Sequence, residues 1–357
     1  MKKHKLLSLF LIAGALVGCA NSSSSTPSVN GSDNGEATIT PDAEKVLNVY
    51  MPSPATLHTT LANGFYAATG IQVNVTSGTT GELMAKIEAE GAGYCDVLIT
   101  ASWSEGLASK DNDKIKALKY TPKNANKLYS SFKEDSGEIW GTSASAVGII
   151  YNTTKVSKET IEALDWKDFG DSSKWNLSMN LPDPTLSGAS KDFIAGFVTR
   201  NNDDENNMKI IDSWVANGLK NGGKNGPALK AVKAGTVAAV IGGVDYNCYS
   251  DMKKGEKIDI YYPKSGTVIN PRPAMILGAA KHVNNAKLFM DYLLSDEAQG
   301  LVANEYLLPG RSDYSALQDR TQVSDITSFT GLDWNKMANQ GSTLAQSVVD
   351  KIKTAGN

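Results

Sequence analysis

The chain has 357 residues, of which 41% are hydrophobic and 20% charged, with a formal net charge of −3 and a mean hydropathy of −0.26. This is the composition of a soluble folded body with length enough for two cores. Three cysteines are too few for a disulfide framework, and with no Lys/Arg-rich face nothing points to nucleic acid.

In chain order, Met1-Lys2-Lys3-His4-Lys5 is a positive leader, Leu6 to Val17 an apolar run too short to span a bilayer, and Leu16-Val17-Gly18-Cys19 a small-residue cleavage site. Together they read as a secretory signal over residues 1–18. The cysteine after Leu-Val-Gly resembles a bacterial lipobox, which makes Cys19 the expected lipid attachment point; an ordinary signal with an incidental cysteine is the alternative. Cleavage removes three lysines and no acid, leaving 32 basic against 38 acidic side chains, a net −6. Asn21 to Asp42 is rich in Ser, Gly and Asn and nearly free of apolar residues. Residues 19–45 therefore read as a flexible tether that holds the body off a membrane.

From Val46 the pattern alternates. Val46 to Tyr50 predicts a strand, Thr56 to Ala68 a helix, Gln72 to Val75 a strand, Glu82 to Glu90 a helix and Asp96 to Thr100 a strand. This β-α-β-α-β order with short joints predicts a parallel sheet with helices on its faces. Further on, Val147 to Tyr151, Val237 to Ile241, Ile258 to Tyr262 and Ala274 to Leu277 predict strands. Lys191 to Asn201, Met208 to Gly218, Ala286 to Leu294, Glu297 to Val302 and Thr343 to Lys353 predict helices. Cys95 and Cys248 either pair in an oxidising compartment or stand as separate buried thiols.

Ligands of such sheets bind beyond the carboxyl ends of the strands. Several joints there are rich in hydroxyls and glycine: Ser53 after the first strand, Ser77-Gly78-Thr79-Thr80-Gly81-Glu82, Ser102, Ser143-Ala144-Ser145, and Ser187-Gly188-Ala189-Ser190. Backbone N–H groups at such helix starts suit an anion, although each joint alone is also an ordinary N-cap. Asp245-Tyr246-Asn247-Cys248-Tyr249 follows a buried strand and puts two phenols on one helical face, where they contact a sugar, pack against a neighbouring surface, or bind ferric iron. Arg272, in Pro271-Arg272-Pro273, has the geometry to clamp a phosphate, or is a salt-bridged surface charge. Catalysis finds no support: His58 and His282 lie far apart, with no zinc-type spacing, nucleophile elbow or Walker-type loop. His58, inside the first helix, is expected on its surface. No cofactor is implied.

The order of elements resembles the extracellular solute-binding proteins of ABC importers, in the branch of ferric-iron, phosphonate and sugar-phosphate binders. The resemblance rests on Phe65 to Val73, Leu83 to Glu90, Cys95 to Leu98, Trp140 to Ser143, Gly148 to Asn152, Asp183 to Gly188 and Phe289 to Gln299, within a span from Leu47 to about Asp313. It implies an α/β, two-lobed, type II periplasmic-binding-protein fold, each lobe a mostly parallel sheet flanked by helices, with a ligand cleft between. The expected lobes are 46–146 with 268–308, and 147–267 with 309–357. Gly243 to Tyr246, Tyr262 to Val268 and Pro271 to Leu277 look like the sugar-phosphate members. Ferric binders of the branch use adjacent tyrosines near Tyr246; here Asn247 and Cys248 intervene, so Tyr246 and Tyr249 form only the alternative, ferric ligand set. A surface adhesin is a second alternative.

The resemblance implies a monomeric, non-enzymatic carrier, lipid-anchored outside the cytoplasm, that delivers a small phosphorylated organic solute to an ABC permease and its ATPase. Ser53, Ser77, Thr79, Thr80, Ser102, Ser143 and Ser145 are the expected contacts of one lobe and Ser187 and Ser190 of the other. Asp245 would accept from sugar hydroxyls, with Tyr246 and Arg272 beside it.

Overall fold

A computed structural model describes residues 38–52 and 54–356. The signal, Cys19, most of the tether and Ser53 lie outside the described residues.

The first strands and helices run β1 (Val46–Met51), α1 (Ala55–Thr69), β2 (Gln72–Ser77), α2 (Thr80–Glu90), β3 (Val97–Ile99) and α3 (Trp103–Ser109). A long strand, β4 (Trp140–Asn152), leads through α4 (Lys158–Glu162) to β5 (Met179–Leu181), α5 (Gly188–Thr199), α6 (Asp204–Ala216), β6 (Leu219–Asn221) and α7 (Asn225–Lys233). Then come β7 (Ala239–Val244), α8 (Asp245–Lys253), β8 (Ile258–Tyr261), β9 (Ile269–Ile276), α9 (Val283–Leu293), α10 (Asp296–Asn304), β10 (Leu308–Pro309) and α11 (Trp334–Thr354).

The sheet order is β2-β1-β3-β9-β4-β7-β5-β6, with β8 and β10 also on β4. Pairing is parallel between β1 and its neighbours β2 and β3, and between β5 and its neighbours β6 and β7. Around β4 and β9 it is antiparallel. The first half of β4 pairs with β9 and β10, and its second half with β7 and β8. One strand thus belongs to both lobes, and all thirteen of its residues are buried. That explains why its first half is invisible to a period-2 reading: Gly141-Thr142-Ser143-Ala144-Ser145 has little strand propensity and is held by neighbours on both sides.

Local chemistry fixes the helices that meet the cleft. Leu57, Leu61 and Phe65 recur every four residues to bury one face of α1, and Gly70 closes it at φ 71°. Thr79 and Glu82 form a reciprocal capping box at the start of α2. Helix α5 is buried over its whole length. Phe193 packs 4.8 Å from Trp166, and Phe197 packs 4.9 Å from Trp214. The Trp166 and Trp214 indoles donate to the carbonyls of Gly266 and Trp166, each at 2.7 Å. Each aromatic contact adds about 0.5–1.5 kcal/mol beyond area burial, so the direction of α5 is firmly set.

Cys95 and Cys248 are both free and buried. His58 departs from its expected surface position. It is 6% exposed and bonds the Pro52 carbonyl at 2.9 Å, because α1 turns that face toward β1. Among the described residues, no helix is long and apolar enough to cross a membrane.

Candidate functional site

Four helix starts converge on one cavity of about 270 Å³ between the lobes. One lobe contributes Pro52, Gly78, Thr79, Thr80 and Ala101 at the ends of β1, β2 and β3. The other contributes Ser187 and Gly188 from α5, Lys224 to Pro227 from α7, and Tyr246 and Asn247 from α8. Arg272, on β9 beside the first half of β4, completes the wall. Helix N-termini each carry a partial positive charge, and here the starts of α2, α5, α7 and α8 join two cationic side chains. No acidic side chain is among the described lining residues.

Arg272 is 2% exposed. Its Nη2 donates to the Pro52 carbonyl at 3.2 Å, the same oxygen that meets His58, and the guanidinium lies 5.9 Å from the Tyr246 ring. Burial lowers its pKa, while Tyr246 and Asp245 hold it up; a guanidinium stays charged regardless. Burial raises the Tyr246 pKa and keeps the phenol protonated. Burial also lowers the His58 pKa, with Arg272 adding to the effect, so the imidazole is neutral near pH 7.

Across the mouth, Lys224 of one lobe pairs with Glu82 of the other at 2.5 Å. Ser187 caps α5 through the Ser190 amide and donates to Asn225 Oδ1 at 3.1 Å, which ties two of the converging helices together. Thr80 Oγ1 accepts from the Ala101 amide at 3.0 Å.

The expected contacts divide. Thr79, Thr80, Ser187, Tyr246 and Arg272 line the cavity; Ser77, Ser102, Ser143, Ser145, Ser190 and Asp245 are not in its lining. Ser77 ends β2 on the exposed surface. Ser102 caps α3 and donates to Asp192 of α5 at 2.7 Å. Ser143 stands beside Arg272 in the β4–β9 ladder. Ser145 is fully buried, its hydroxyl without a partner among the described residues. Ser190 donates to the Pro182 carbonyl at 2.6 Å. Asp245 is held in an internal ion pair with Arg320 at 2.6 Å. Tyr249, the second phenol of the ferric set, faces away from the cavity's lining and bonds Thr321 Oγ1 at 2.8 Å.

Sequence reading missed Lys224, Asn225 and Asn247. A signal was present for the first two: Gly222-Gly223-Lys224-Asn225-Gly226-Pro227 is a glycine turn with proline in the first turn of a helix.

A larger trough, about 960 Å³, runs between α6 and α11. It is open, its Asp212 and Lys351 already pair at 2.7 Å, and no helix start opens onto it. The interlobe cavity is the better candidate.

Residues 47–305 match the family described as bacterial extracellular solute-binding protein. The chain belongs to that family, whose members are the substrate-binding components of importers; they work outside the cytoplasm and are not enzymes. Iron uptake protein A1 of Synechocystis is 23% identical over 314 residues, 84% of this chain and 86% of that protein. Among solved structures, iron-bound HitA from Pseudomonas aeruginosa has a TM-score of 0.71 at 23% identity, covering 85% of this chain and 99% of that one. AfuA from Actinobacillus pleuropneumoniae, with fructose 6-phosphate bound, has a TM-score of 0.74 at 20% identity, covering 86% and 98%. These likenesses establish the two-lobed fold.

Proposed function

We propose that this protein captures a small phosphorylated organic solute, a hexose phosphate in the first instance, and hands it to an ABC permease and its ATPase. The observation that carries this reading is the pairing of Arg272 and Lys224 with four converging helix starts in a cavity whose described lining holds no carboxylate. A phosphate monoester carries about −1.5 to −2 at neutral pH, which Arg272 and the helix starts meet directly and Lys224 meets by exchanging its Glu82 partner for the ligand. Asn225, Asn247, Ser187 and Thr79 offer neutral polar partners for sugar hydroxyls. The cavity falls just under the roughly 300 Å³ at which drug-sized pockets begin, which favours a small solute.

Closure of the two lobes around β4 and β9 brings the two halves of the site together, by hinge motion of the kind common to two-lobed binders. The protein acts as a monomer, tethered through lipid on Cys19. The relatives' names include both iron and a sugar phosphate, and the ferric reading would use Tyr246 and Tyr249. The electropositive wall, and the burial of Tyr249 outside the cavity's lining against Thr321, favour the anion.

A melting-temperature screen against hexose phosphates, phosphonates, inorganic phosphate and ferric citrate tests the proposal. A ligand at a hundred times its Kd adds about 2.7 kcal/mol, a shift of several degrees. Stabilisation by ferric citrate alone would reject it.

A further inference from the structure

Behind the cavity wall lies a second, fully buried group of charges. Asp245 is the first residue of α8, and the next two residues, Tyr246 and Asn247, line the cavity. Its Oδ1 accepts from the Tyr246 amide at 2.7 Å. Its Oδ2 accepts from the Tyr262 hydroxyl at 3.2 Å and from Arg320 Nη2 at 2.6 Å. Both side chains of the Asp245–Arg320 pair are 0% exposed.

Arg320 is fixed from every side. Its Nε donates to the Thr321 carbonyl at 3.0 Å, its Nη1 to the Tyr306 carbonyl, and its guanidinium sits 5.0 Å from the centre of the Tyr249 ring. Tyr306, whose carbonyl it takes, holds a φ of 59°, a rare setting for a bulky residue. The turn at Tyr306 thus presents its carbonyl to the Arg320 guanidinium.

Two demands conflict at Asp245. A carboxylate in the first turn of a helix stabilises it through the dipole and the Tyr246 amide. The same negative charge, one residue from the cavity wall, repels an anionic ligand. Its field reaches Arg272, whose charged form it favours. At an effective dielectric near 20, a like charge about 10 Å away weakens binding on the order of tenfold.

We propose that Arg320 is the counter-charge that sets the sign of the ligand: by neutralising Asp245 from behind, it lets α8 start on a carboxylate and still face an anion. This rests on the anion reading given above. Arg320 is a positioning residue, since it lies outside the cavity's lining.

The test is calorimetric titration of the full-length protein with fructose 6-phosphate and with inorganic phosphate. Wild type is compared with Asp245→Asn, Arg320→Met and the double variant, with circular dichroism and melting recorded for each. Arg320→Met should weaken both probes about tenfold, Asp245→Asn should tighten them severalfold, and the double variant should return to within about threefold of wild type. A purely structural role predicts instead that both single changes weaken binding and that the double variant does not recover; that pattern overturns the proposal. If Arg320→Met fails to fold, Asp245→Asn decides alone, since weaker anion binding in that variant overturns it equally. Failure of the anion reading itself shows separately, as a wild type that binds neither probe, and it takes the proposal with it.

Discussion

Asp192 is fully buried on α5, yet its three donors all come from the opposite lobe: Ser102 Oγ at 2.7 Å, the Trp103 amide at 2.8 Å, and Ser104 Oγ. Beside it Lys191 pairs with Glu105 across the same seam. If the lobes hinge, this clasp exists only when they are closed, because in an open form water takes over every one of those bonds. Asp192→Ala therefore penalises the closed form and leaves the open one nearly untouched. Hydrogen bonds to charged groups contribute about 1.5–3 kcal/mol each, offset in part by the cost of burying the carboxylate. Alanine leaves those three neutral donors unpartnered in the closed form, while burial, which pushes the Asp192 pKa up, takes back part of what the bonds gain, so the net cost is about 1–3 kcal/mol. A cost of about 2 kcal/mol shifts the closed-to-open ratio by roughly 30-fold. Solution scattering of the unliganded variant should show a larger radius of gyration than wild type, and titration should show weaker ligand binding by up to that factor. Asp192→Asn, which keeps one acceptor, should fall between. Unchanged scattering together with a Kd within threefold of wild type would refute the clasp.

Other outcomes follow from the same geometry. A Cβ on Gly188 would stand 2.7 Å from Thr80 Oγ1 and 2.9 Å from Ser102 Cβ, so Gly188→Val should wedge the lobes apart and weaken binding at least tenfold, with little change in melting temperature. Arg272→Gln should cost about 2–5 kcal/mol of anion affinity, measured by calorimetry. Arg272→Lys should recover only part of that loss, since it restores charge without the fork. His282 bonds Asp96 at 2.9 Å and Glu44 at 3.2 Å. Burial alone would lower the His282 pKa, but these carboxylates raise it; burial alone would raise that of Asp96, but its bonds to His282, Asn48 and Lys281 bring it down. The stabilisation from His282 is thus complete below its unfolded value near 6.5 and fades as pH rises through the raised folded one. Asp96 contributes above about 3.9 and loses its contribution on acidification through its depressed value. Urea unfolding should show His282→Gln about 1 kcal/mol less stable than wild type at pH 6, with the gap closing by pH 9. A gap that widens with pH would contradict this.

The alternating elements of the first lobe were legible because β1, α1, β2, α2 and β3 each announce themselves through apolar periodicity and an adjacent cap or glycine. The central strands were only half legible. Val147 to Tyr151 reads as a strand, whereas the small and hydroxylic Gly141 to Ser145 and the proline-flanked Arg272 become strand only because neighbours pair with them. The same split runs through the site. Thr79 and Ser187 carry local signals that survive folding, since helix starts are written in short motifs, whereas Arg272 stood out only as a cation between two prolines. Ser102, Ser190 and Asp245 carry equally good local signals but turn to partners across the fold: Asp192, the Pro182 carbonyl and Arg320. No short-range pattern distinguishes a hydroxyl or carboxylate aimed at a ligand from one aimed at a distant side chain. Lys224 reaches the cavity from a glycine turn in the second lobe and meets Glu82, 142 positions away in sequence.

The central claim is that the cavity between Arg272, Lys224 and the four helix starts holds a phosphoryl group. Calorimetric titration of the wild-type protein with fructose 6-phosphate, with fructose, and with ferric citrate tests it most directly. The account predicts saturable binding of the phosphorylated sugar, loss of at least a hundredfold in affinity when the phosphate is absent, and no heat from the ferric salt. Tight uptake of ferric iron, coloured by phenolate ligation and indifferent to the sugar phosphate, would contradict it.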